Sequence, residues 1–381
     1  MITINQVTAL AARVSPNTVW HFVRLDSAEG IQGWGEATLQ GSAVAVHDHV
    51  VRLAPALTGK KFNGDVDVMD VVGSCGRDLA EAAAISALDQ ALWDALAQAR
   101  GVALTQALGS AIRSEIKLYA NINRGTRDRS PTGFATRARE AVSLGFEAIK
   151  IAPFDGVQPG HEEPELLGAA IARVAAVRAT IGPSTSLMVD CHWRLSERAA
   201  SDVLREIDPL EPYWFECPLP ETRENFPALR RLRTQANARR IRLAGCEAMV
   251  GRAGFKPFLE AGIYDAIMPD VKYAGGLREL LRIGQDAQRA GVMCSPHNPS
   301  GPIAHAHSLH LSAHLPIFPF LEFQYGESPL FFKFVDGAMP DPNRGVSHLP
   351  QGKGLGLAVG GEEFRRCLVD ASAATVQKIV A

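Results

Sequence analysis

From about residue 116 to residue 330, the sequence alternates short apolar stretches with longer stretches rich in Ala, Leu, Arg and Glu. This alternation predicts parallel strands that are each followed by a helix. Eight strand candidates can be counted: KLYAN near 117, AIKIAP near 148, SLMVDCH near 186, YWFECP near 213, RLAGCE near 242, AIMPDV near 266, MCSPHN near 293 and PFLEFQ near 319. Eight such units close into a barrel, so we predict an α/β barrel domain over residues 116–330.

The flanking segments predict a second domain. Residues 1–115 read as an α+β unit, because the segment from Thr18 to Leu39 alternates in period two around a turn at 27–30, which indicates a hairpin. A helix with one apolar face is predicted before Gly101 from the spacing of Ile85, Leu88, Leu92 and Leu96. Residues 331–381 are rich in Gly and Pro and then form an apolar helical stretch over 362–380. We expect this C-terminal segment to return to the first domain.

Charge and composition argue against several classes of partner. The formal net charge is -2 and the chain is 46% hydrophobic, so nothing in it favours nucleic acid or an anionic membrane surface. No apolar run is long enough to span a bilayer, and the N-terminus lacks the pattern of a signal peptide, which predicts a cytoplasmic protein. The six cysteines are scattered without CxxC spacing, so we expect reduced, buried thiols.

Polar residues fall at the C-terminal tips of six consecutive strand candidates. The residues are Asp190, His192, Glu216, Glu247, Asp270, His297 and Glu322. In a barrel these tips converge on one mouth, which is where barrel enzymes hold their catalytic groups. A single acid at such a place is more often a helix cap or an ion-pair partner, but six successive tips favour a functional site.

Three adjacent tips offer only carboxylate oxygens: Asp190, Glu216 and Glu247. Hard oxygen ligands favour Mg²⁺ over zinc or copper. Each acid has a cysteine as its neighbour, Cys191, Cys217 or Cys246, and a neighbour on a strand points to the opposite face. We therefore assign these cysteines to packing, although a soft-metal site would result if all three strands were turned over.

Seven motifs together resemble the mandelate racemase subgroup of the enolase superfamily, and within it the acid-sugar dehydratases of the galactonate dehydratase type. GWGEATL (33–39) and SALDQALWD (86–94) resemble the capping domain of that family. VDCHWR, FECP and AGCE resemble its three metal-ligand strands, and PDVKYAGG and SPHNPSGP resemble its Asp and His pair. The resemblance covers nearly the whole chain and implies a modified TIM barrel, (β/α)7β, with an α+β capping domain.

The resemblance also implies a role for each matching residue. Asp190, Glu216 and Glu247 would bind Mg²⁺, which chelates the substrate carboxylate. His297 would remove the proton next to that carboxylate, with Asp270 behind it to fix the tautomer. Glu322 would donate or share a hydrogen bond at the carboxylate oxygen opposite the metal. A His base with Mg²⁺ is a general property of this superfamily.

One departure from the family pattern bears on the reaction. Racemases of this subgroup carry a second base, the last Lys of a Lys-x-Lys motif at the end of strand two. This chain has Lys150, Ile151 and Ala152 there, so the expected Lys is Ala152. Two-base racemisation is therefore disfavoured, because it needs an acid and a base on opposite faces of the substrate.

His192 lies two residues beyond Asp190 and thus on the same side of strand three. In galactonate dehydratase-like enzymes the histidine at this position is taken to protonate the departing 3-hydroxyl group. We favour that role over a fourth metal ligand or a support for the metal ligands, since an all-oxygen Mg²⁺ site has little need of an imidazole.

Other polar residues near the strand ends are weaker candidates for binding substrate: Lys150, Asn123, Trp193, Arg194 and Lys272. Lys150 has an equal claim as the ion-pair partner of a neighbouring acid, and Lys272 is the main rival to His297 as the base. The run HAHSLHLSAH puts four histidines on the helix after strand seven, His305, His307, His310 and His314, where we expect them on the helix surface.

The leading hypothesis is an Mg²⁺-dependent dehydratase of a sugar acid that gives a 2-keto-3-deoxy acid. The alternatives within the superfamily are an epimerase or racemase, a cycloisomerase and a dehydratase of a hydroxyamino acid. A further alternative is a catalytically silent metal-binding barrel with a regulatory role. The partner is expected to be a small carboxylate substrate, and the chain is expected to form a symmetric homo-oligomer, as members of the family commonly do.

Overall fold

Eight parallel strands form the barrel in the computed structural model, which describes residues 1–370. Barrel strands 1 to 8 are Glu115–Asn121, Ala148–Ile151, Ser186–Asp190, Trp214–Glu216, Arg242–Gly245, Ala266–Ile267, Met293–Cys294 and Leu321–Gln324. Strands 1 to 7 pair in chain order and strand 8 pairs with strand 1. The segments that hold strands 7 and 8 meet where the Cys294 amide donates to the Ile317 carbonyl at 2.8 Å.

Seven helices connect these strands, one after each of strands 1 to 7. They are Pro131–Ser143, Pro164–Ile181, Glu197–Ile207, Phe226–Asn237, Gly251–Glu260, Leu277–Arg289 and Pro302–Ser312. Ser130 and Ser196 cap two of them, because their side chains accept hydrogen bonds from the amides of Gly133 and Ala199. The predicted (β/α)7β barrel is confirmed.

Side chains of the barrel strands alternate between two apolar layers. Leu187 and Val189 of strand 3 point outwards into the large core between strands and helices. Met188, between them, points inwards to a smaller cluster that fills the barrel, made up of Tyr119, Ala148, Met188, Trp214, Ala244, Ala266 and Met268. Since side chains repeat every second residue, the next inward positions lie one layer closer to the mouth, which we define as the carboxyl end of the strands.

The N-terminal part of the chain is an α+β unit. Its sheet contains the strands Ile2–Ser15, Thr18–Ser27, Gln32–Glu36, Lys61–Phe62 and Leu368–Val369. Its helices are Ala43–Leu53, Val68–Val72, Leu79–Ala99 and Leu104–Leu108. The predicted hairpin is confirmed, since strands Thr18–Ser27 and Gln32–Glu36 are antiparallel and the Ser27 amide donates to the Ile31 carbonyl at 2.9 Å.

Helix Leu79–Ala99, which we call the capping helix, is buried around its whole circumference from Glu81 to Ala97. The prediction of a one-sided apolar face was therefore wrong, although the helix does end just before Gly101. One side of the helix touches the sheet very closely. A Cβ atom at Gly33 or Gly35 would lie 2.0 Å from a carbonyl oxygen of this helix. Only glycine at these two positions lets the sheet and the helix approach so closely.

Buried carboxylates join this α+β unit to the barrel helices. Glu36 accepts hydrogen bonds from the amides of Gly301 and Ala304, at 2.7 and 2.9 Å, at the start of helix Pro302–Ser312. Asp89 of the capping helix accepts one at 2.8 Å from the Leu277 amide, the first residue of the preceding barrel helix. The N-terminal amides of a helix lack partners within the helix, so these acids satisfy them.

The expected surface position of the four histidines was wrong. His305, His307 and His310 on helix Pro302–Ser312 are at most 1% exposed, and His314 beyond its end is partly buried. Acceptors from distant parts of the chain replace water around them, since His307 lies 2.9 Å from the Trp34 carbonyl and His310 lies 3.2 Å from the Leu355 carbonyl. Burial lowers the pKa of His305 and His307 to about 3, so both are neutral packing residues.

The C-terminal segment forms helix Gly361–Cys367 and then strand Leu368–Val369, which pairs with the first strand of the chain. The predicted helical stretch over 362–380 thus stops at Cys367, and its last part, 371–380, lies outside the described residues. The domain limits 1–115, 116–330 and 331–381 remain a prediction. All six cysteines are free. Among the described helices, none combines the length and the apolar character that a bilayer span requires.

Candidate active site

A layer of ionisable side chains lies directly above the apolar layer inside the barrel. Its members stand two residues beyond inward-facing apolar residues on strands 2, 3 and 4: Lys150 follows Ala148, Asp190 follows Met188, and Glu216 follows Trp214. Strands 3 and 4 are in register here, with Asp190 opposite Glu216. The fold therefore brings these side chains to one level of the mouth because of their spacing in the sequence.

The three predicted metal ligands lie together. Asp190, Glu216 and Glu247 each offer a carboxylate oxygen, and these atoms all lie within 4.8 Å of one another. All three residues are buried. Burial and the nearby charge of Asp190 raise the pKa of Glu216 to about 8 and the pKa of Glu247 well above its usual value. The arrangement therefore holds like charges at a short distance and out of water, which a divalent cation would relieve.

Lys150 lies among the acids. Its ammonium group is 2.8 Å from Glu216 Oε1, 3.0 Å from Glu322 Oε1 and 3.7 Å from Asp190 Oδ2. Of its two predicted roles, the structure thus displays the ion pair with neighbouring acids. One ammonium faces four carboxylates when Glu247 is included, so the cluster keeps an excess of negative charge.

The residues present fit a divalent cation. Oε2 of Glu247 is buried and has no hydrogen-bond partner within residues 1–370. Oε2 of Glu216 is oriented by Trp214, whose indole donates to it at 2.8 Å. Oδ1 of Asp190 accepts from the His192 amide at 3.0 Å. An unpartnered buried carboxylate oxygen beside two fixed ones is what an oxygen-ligated cation requires.

His297 and Asp270 form a close pair at the mouth. Nδ1 of His297 lies 2.8 Å from Asp270 Oδ2. The other ring nitrogen, Nε2, faces the acid cluster at 3.6 Å from Glu247 Oε2 and 3.9 Å from Glu322 Oε2. Burial lowers the pKa of His297, against the opposing charges of Glu322 and Asp270. A neutral ring with Nδ1–H held by a carboxylate leaves the Nε2 lone pair directed into the mouth.

Lys272 lies behind this pair. Its ammonium group is 2.7 Å from Asp270 Oδ2 and also donates to the Ser300 hydroxyl, and the residue is 2% exposed. Although burial would raise the pKa of Asp270, the charges of Lys272 and His297 lower it to about 2. Lys272 therefore contacts Asp270 and Ser300 rather than the open mouth.

Tyr273 was not predicted from the sequence. Its hydroxyl lies 3.1 Å from Nδ1 of His297, while its ring packs in the core of the α+β unit. The residue stands three positions after Asp270 inside the motif PDVKYAGG, and this position is the one signal that could have identified it. Tyr273 thus connects the Asp270–His297 pair with the α+β unit.

Glu322 is held as a carboxylate. Oε1 accepts from the Asn121 amide group at 2.5 Å and Oε2 accepts from the Asn298 backbone amide at 2.8 Å. Burial would raise the pKa of Glu322, but Lys150 and then His297 lower it to about 2. In this state Glu322 accepts hydrogen bonds and does not donate them.

His192 contacts the acid cluster from the solvent side. Its Nε2 lies 3.0 Å from Asp190 Oδ2, and 43% of its side chain is exposed. Although burial would raise the pKa of Asp190, the charges of His192 and Lys150 hold it below its usual range. The position suits a proton donor at the open mouth and also a support for Asp190.

The chain turns abruptly after each strand that leads to a predicted metal ligand. His192, Trp193, Cys217 and Cys246 all have positive φ values, between 45° and 71°. L residues adopt this left-handed region at a cost of about 1–2 kcal/mol each. Such strain gathers at functional sites, where the surrounding packing enforces it. The three cysteines beside the metal ligands are fully buried, and Cys191 and Cys246 belong to the outer core, as predicted.

The remaining predicted residues follow the carboxyl ends of strands 1 and 3. Oδ1 of Asn123 accepts from the Ala152 amide at 2.5 Å, and its Nδ2 is buried with no acceptor within residues 1–370. Arg194 donates to the Phe154 carbonyl at 3.2 Å. Trp193 is partly buried, and its amide donates to the Cys217 carbonyl at 2.6 Å. No base stands at Ala152.

A (β/α)7β barrel under an α+β unit, with carboxylates on strands 3 to 5 and an Asp–His pair after strands 6 and 7, defines an enzyme of the enolase superfamily. Sequence comparison agrees with this class. Residues 4–109 match the mandelate racemase / muconate lactonizing enzyme N-terminal domain, and residues 133–363 match the enolase C-terminal domain-like family. The chain belongs to the mandelate racemase and muconate lactonizing enzyme family.

Two relatives with similar sequences are D-galactonate dehydratases. The chain is 34% identical over 318 residues to the D-galactonate dehydratase of Verminephrobacter eiseniae, covering 81% of this chain and 78% of that protein. It is also 34% identical to the D-galactonate dehydratase of Xanthomonas campestris pv. campestris, covering 77% and 75% of the two chains. The chain is therefore an enolase-superfamily enzyme of the dehydratase class.

Solved structures share the whole fold. An enolase-superfamily member from Salmonella Typhimurium superposes with a TM-score of 0.86 at 24% identity, covering 97% of this chain and 100% of that chain. The 3,6-anhydro-D-galactonate cycloisomerase of Zobellia galactanivorans superposes with a TM-score of 0.84 at 25% identity, with the same coverage. The same fold thus carries different activities, so the reaction has to be argued from the site.

Proposed function

We propose that this enzyme is an Mg²⁺-dependent dehydratase that converts a sugar acid into a 2-keto-3-deoxy acid. The observation that carries the proposal is the meeting of three carboxylates with the Asp270–His297 pair at one barrel mouth. The dehydratase relatives support the sugar acid as the substrate class. The absence of a base at Ala152 supports dehydration over two-base racemisation.

Asp190, Glu216 and Glu247 would hold the cation. Removal of the proton next to the substrate carboxylate places a second negative charge on that group, so the proton is very weakly acidic. When bound, Mg²⁺ would neutralise this developing charge. The site keeps no cysteine sulfur or imidazole within the triad, and this supports a hard cation.

His297 would act as the base. Its Nε2 lone pair takes the proton from C2 of the substrate, and the electron pair of the broken C–H bond moves towards the carboxylate. Asp270 accepts the Nδ1–H bond at 2.8 Å and stabilises the positive charge that the ring acquires. Lys272, which pairs with Asp270, would keep that carboxylate ionised.

His192 would act as the acid on the next carbon. It gives a proton to the 3-hydroxyl group as the C3–O bond breaks, so that water leaves and a C2–C3 double bond forms. The resulting enol then loses the proton of its 2-hydroxyl group and takes a proton at C3, which gives the 2-keto-3-deoxy acid. The exposure of His192 at the rim, next to Asp190, is compatible with this position.

Lys150 and Glu322 would position the substrate carboxylate. Glu322 is held ionised by Lys150 and Asn121, so the proton that it shares with substrate has to come from the incoming acid or from Lys150. Asn123 has one unpartnered Nδ2 group within the described residues that can donate to a substrate hydroxyl.

The proposal is tested with a library of aldonic and aldaric acids in the presence of Mg²⁺. We expect at least one member to give a keto acid, which semicarbazide detects by absorbance. Exchange of the C2 proton for deuterium without loss of water would instead favour an epimerase. If no acid in the library exchanges its C2 proton while Mg²⁺ binds, the barrel is catalytically silent and the proposal is wrong.

A further inference from the structure

A second cavity opens at the opposite end of the barrel from the acid cluster. Its volume is about 430 Å³, within the range of small-molecule sites. Ser186 begins strand 3, Tyr213 precedes strand 4, and Arg242 begins strand 5, and all three line the cavity. These strands carry the metal-ligand carboxylates at or just beyond their other ends. The cavity is therefore separated from the active site by the length of the strands.

The lining of this cavity is strongly cationic. It contains the four guanidinium groups of Arg178, Arg239, Arg240 and Arg242 but only two acids, Asp208 and Glu211. The ion pair between Arg239 and Asp208, at 3.7 Å, is the only one that these six side chains form within residues 1–370. The excess of two positive charges thus has no ion-pair partner within the described part of the chain.

Two arginines are fixed in place by contacts that leave their charge available. Arg178 donates to four backbone carbonyls, those of Leu210, Gly182, Thr185 and Glu211, at 2.6 to 3.0 Å. Arg242 lies over the ring of Tyr213 at 4.3 Å, which orients the plane of the guanidinium and leaves its edge free to donate. A preorganised guanidinium loses little conformational entropy when an anion binds.

Arg239 contributes a guanidinium group that is held only loosely. Its Nε atom is buried, forms no hydrogen bond within residues 1–370 and lies 3.7 Å from Asp208 Oδ2. An anion in the cavity would give this donor a closer acceptor. Arg240 is exposed beside it, and none of its side-chain atoms forms an ion pair in the described part of the chain.

We propose that this cavity is a second ligand site, which binds a small dianionic oxyanion: inorganic phosphate or the phosphate group of a metabolite. The two unbalanced positive charges match a dianion, and the guanidinium fork matches two phosphate oxygens. The site lies at the amino end of the strands and is independent of the proposed reaction, so it would stand even if the substrate class were different.

The test is a calorimetric titration of metal-free protein with inorganic phosphate and, separately, with glycerol 3-phosphate. We expect saturable binding of one anion per chain. In the variant Arg240→Gln/Arg242→Gln, we expect the affinity to fall at least tenfold, because both free guanidinium groups are lost. Arg223→Gln/Arg230→Gln is the matched control, since it removes the same charge from two exposed residues outside the cavity, and it should bind like the wild type.

Further titrations test the role of the guanidinium fork and the identity of the anion. Arg242→Lys keeps the charge and loses the fork, so it should bind with intermediate affinity and also serves if the double variant unfolds. Tighter binding of glycerol 3-phosphate identifies a metabolite as the ligand, while equal binding identifies phosphate itself. Equal affinity in the wild type and in the Arg240→Gln/Arg242→Gln variant, or no saturable binding to the wild type, would overturn the proposal.

Discussion

At the scale of single residues, the two ring nitrogens of His297 have separate environments. Nδ1 is held by Asp270 at 2.8 Å and lies 3.1 Å from the Tyr273 hydroxyl, whereas Nε2 faces the acid cluster. His192 approaches the same cluster from the rim. The two imidazoles therefore flank the space in which a substrate would lie, and their proposed roles can be separated by experiment.

Replacing each imidazole in turn separates proton removal from loss of water. We expect His297→Asn to abolish both the exchange of the C2 proton with deuterium oxide and keto-acid formation. His192→Asn should keep measurable exchange but lose keto-acid formation by about 10²–10⁴-fold, the usual contribution of a general acid. NMR follows the exchange and semicarbazide follows the product. Loss of exchange in His192→Asn would contradict its role as the acid.

The hydroxyl of Tyr273 can be removed without changing the packing of its ring. Tyr273→Phe should lower kcat by about fivefold with little change in KM, because one hydrogen bond of about 1 kcal/mol no longer orients His297. The unfolding temperature should stay near that of the wild type. Tyr325→Phe, at a ring that packs edge-on against Phe146, is the control. A change in KM alone would assign Tyr273 to substrate binding instead.

Alternation along single strands was enough to predict that Asp190 and Glu216 meet at the mouth, whereas Glu247, Asp270 and His297 lie beyond the ends of their strands. Asp190 and Glu216 lie opposite each other because both are inward-facing at the end of their strands. The contacts of Lys150 could not be predicted, since its three acid partners come from three other strands and their distances depend on the closure of the barrel. The contact of Tyr273 with His297 could not be predicted either, because the ring of Tyr273 belongs to the core of the α+β unit.

At the scale of helices and strands, the capping helix shows how periodicity can mislead. Its Leu and Ile residues mark one buried side, but its alanines are buried as well, against the sheet and the barrel. A pattern of small residues does not distinguish a solvent-facing side from one that packs closely. The histidines of helix Pro302–Ser312 are a second example, because two of them, His307 and His310, lie against the carbonyl groups of Trp34 and Leu355 instead of water.

Asp89 of the capping helix should give the protein a pH-dependent stability. Burial raises its pKa to about 7 from an ordinary value of 3.8, so the folded protein binds a proton here more tightly than the unfolded chain. The stabilisation is present in full below pH 4 and is lost as the pH rises through about 7. The guanidinium midpoint of the wild type should therefore fall between pH 5 and pH 8 by more than that of Asp89→Asn.

A control variant makes the Asp89 result specific. Asp286→Asn, at a carboxylate in exposed ion pairs with Arg252 and Arg289, should keep the wild-type pH dependence over this range. Its pKa is already below the ordinary value, so it does not titrate between pH 5 and pH 8. Parallel pH profiles of the wild type and Asp89→Asn would mean that Asp89 stays ionised in the folded protein.

At the scale of the whole molecule, the excess of buried carboxylates links stability to metal binding. Without a cation, Glu247→Gln should unfold at a higher temperature than the wild type, because burying a carboxyl group beside Asp190 is unfavourable and the amide avoids this cost. With saturating Mg²⁺ the order should reverse, since ligand binding stabilises the wild type in proportion to ln(1 + [Mg²⁺]/Kd). Differential scanning fluorimetry with and without EDTA measures both.

The surface residue Glu206 provides the control for this prediction. Glu206→Gln removes the same charge from an exposed position on a barrel helix and should follow the wild type in both conditions. An equal Mg²⁺-induced rise in the wild type and in Glu247→Gln would show that Glu247 does not ligate the ion.

The barrel was predictable because the alternation of a short apolar strand with a helical stretch repeats along the chain. A strand that is too short to be recognised alone is identified by its place in this series. Strands 6 and 7 are only two residues long, Ala266–Ile267 and Met293–Cys294, and neither would be recognised alone. The anion-binding cavity could not be predicted, since it forms from the starts of three strands and the ends of helices that are distant in sequence.

The first strand of the chain pairs with Leu368–Val369, the last strand that the structure describes. All of the barrel strands lie between these two strands in the sequence and are synthesised after the first and before the last. During translation the ribosome must therefore release the whole barrel before the edge of the covering sheet is complete. An emerging chain would expose that edge for most of its synthesis, so folding of the barrel should precede completion of the sheet that covers its mouth.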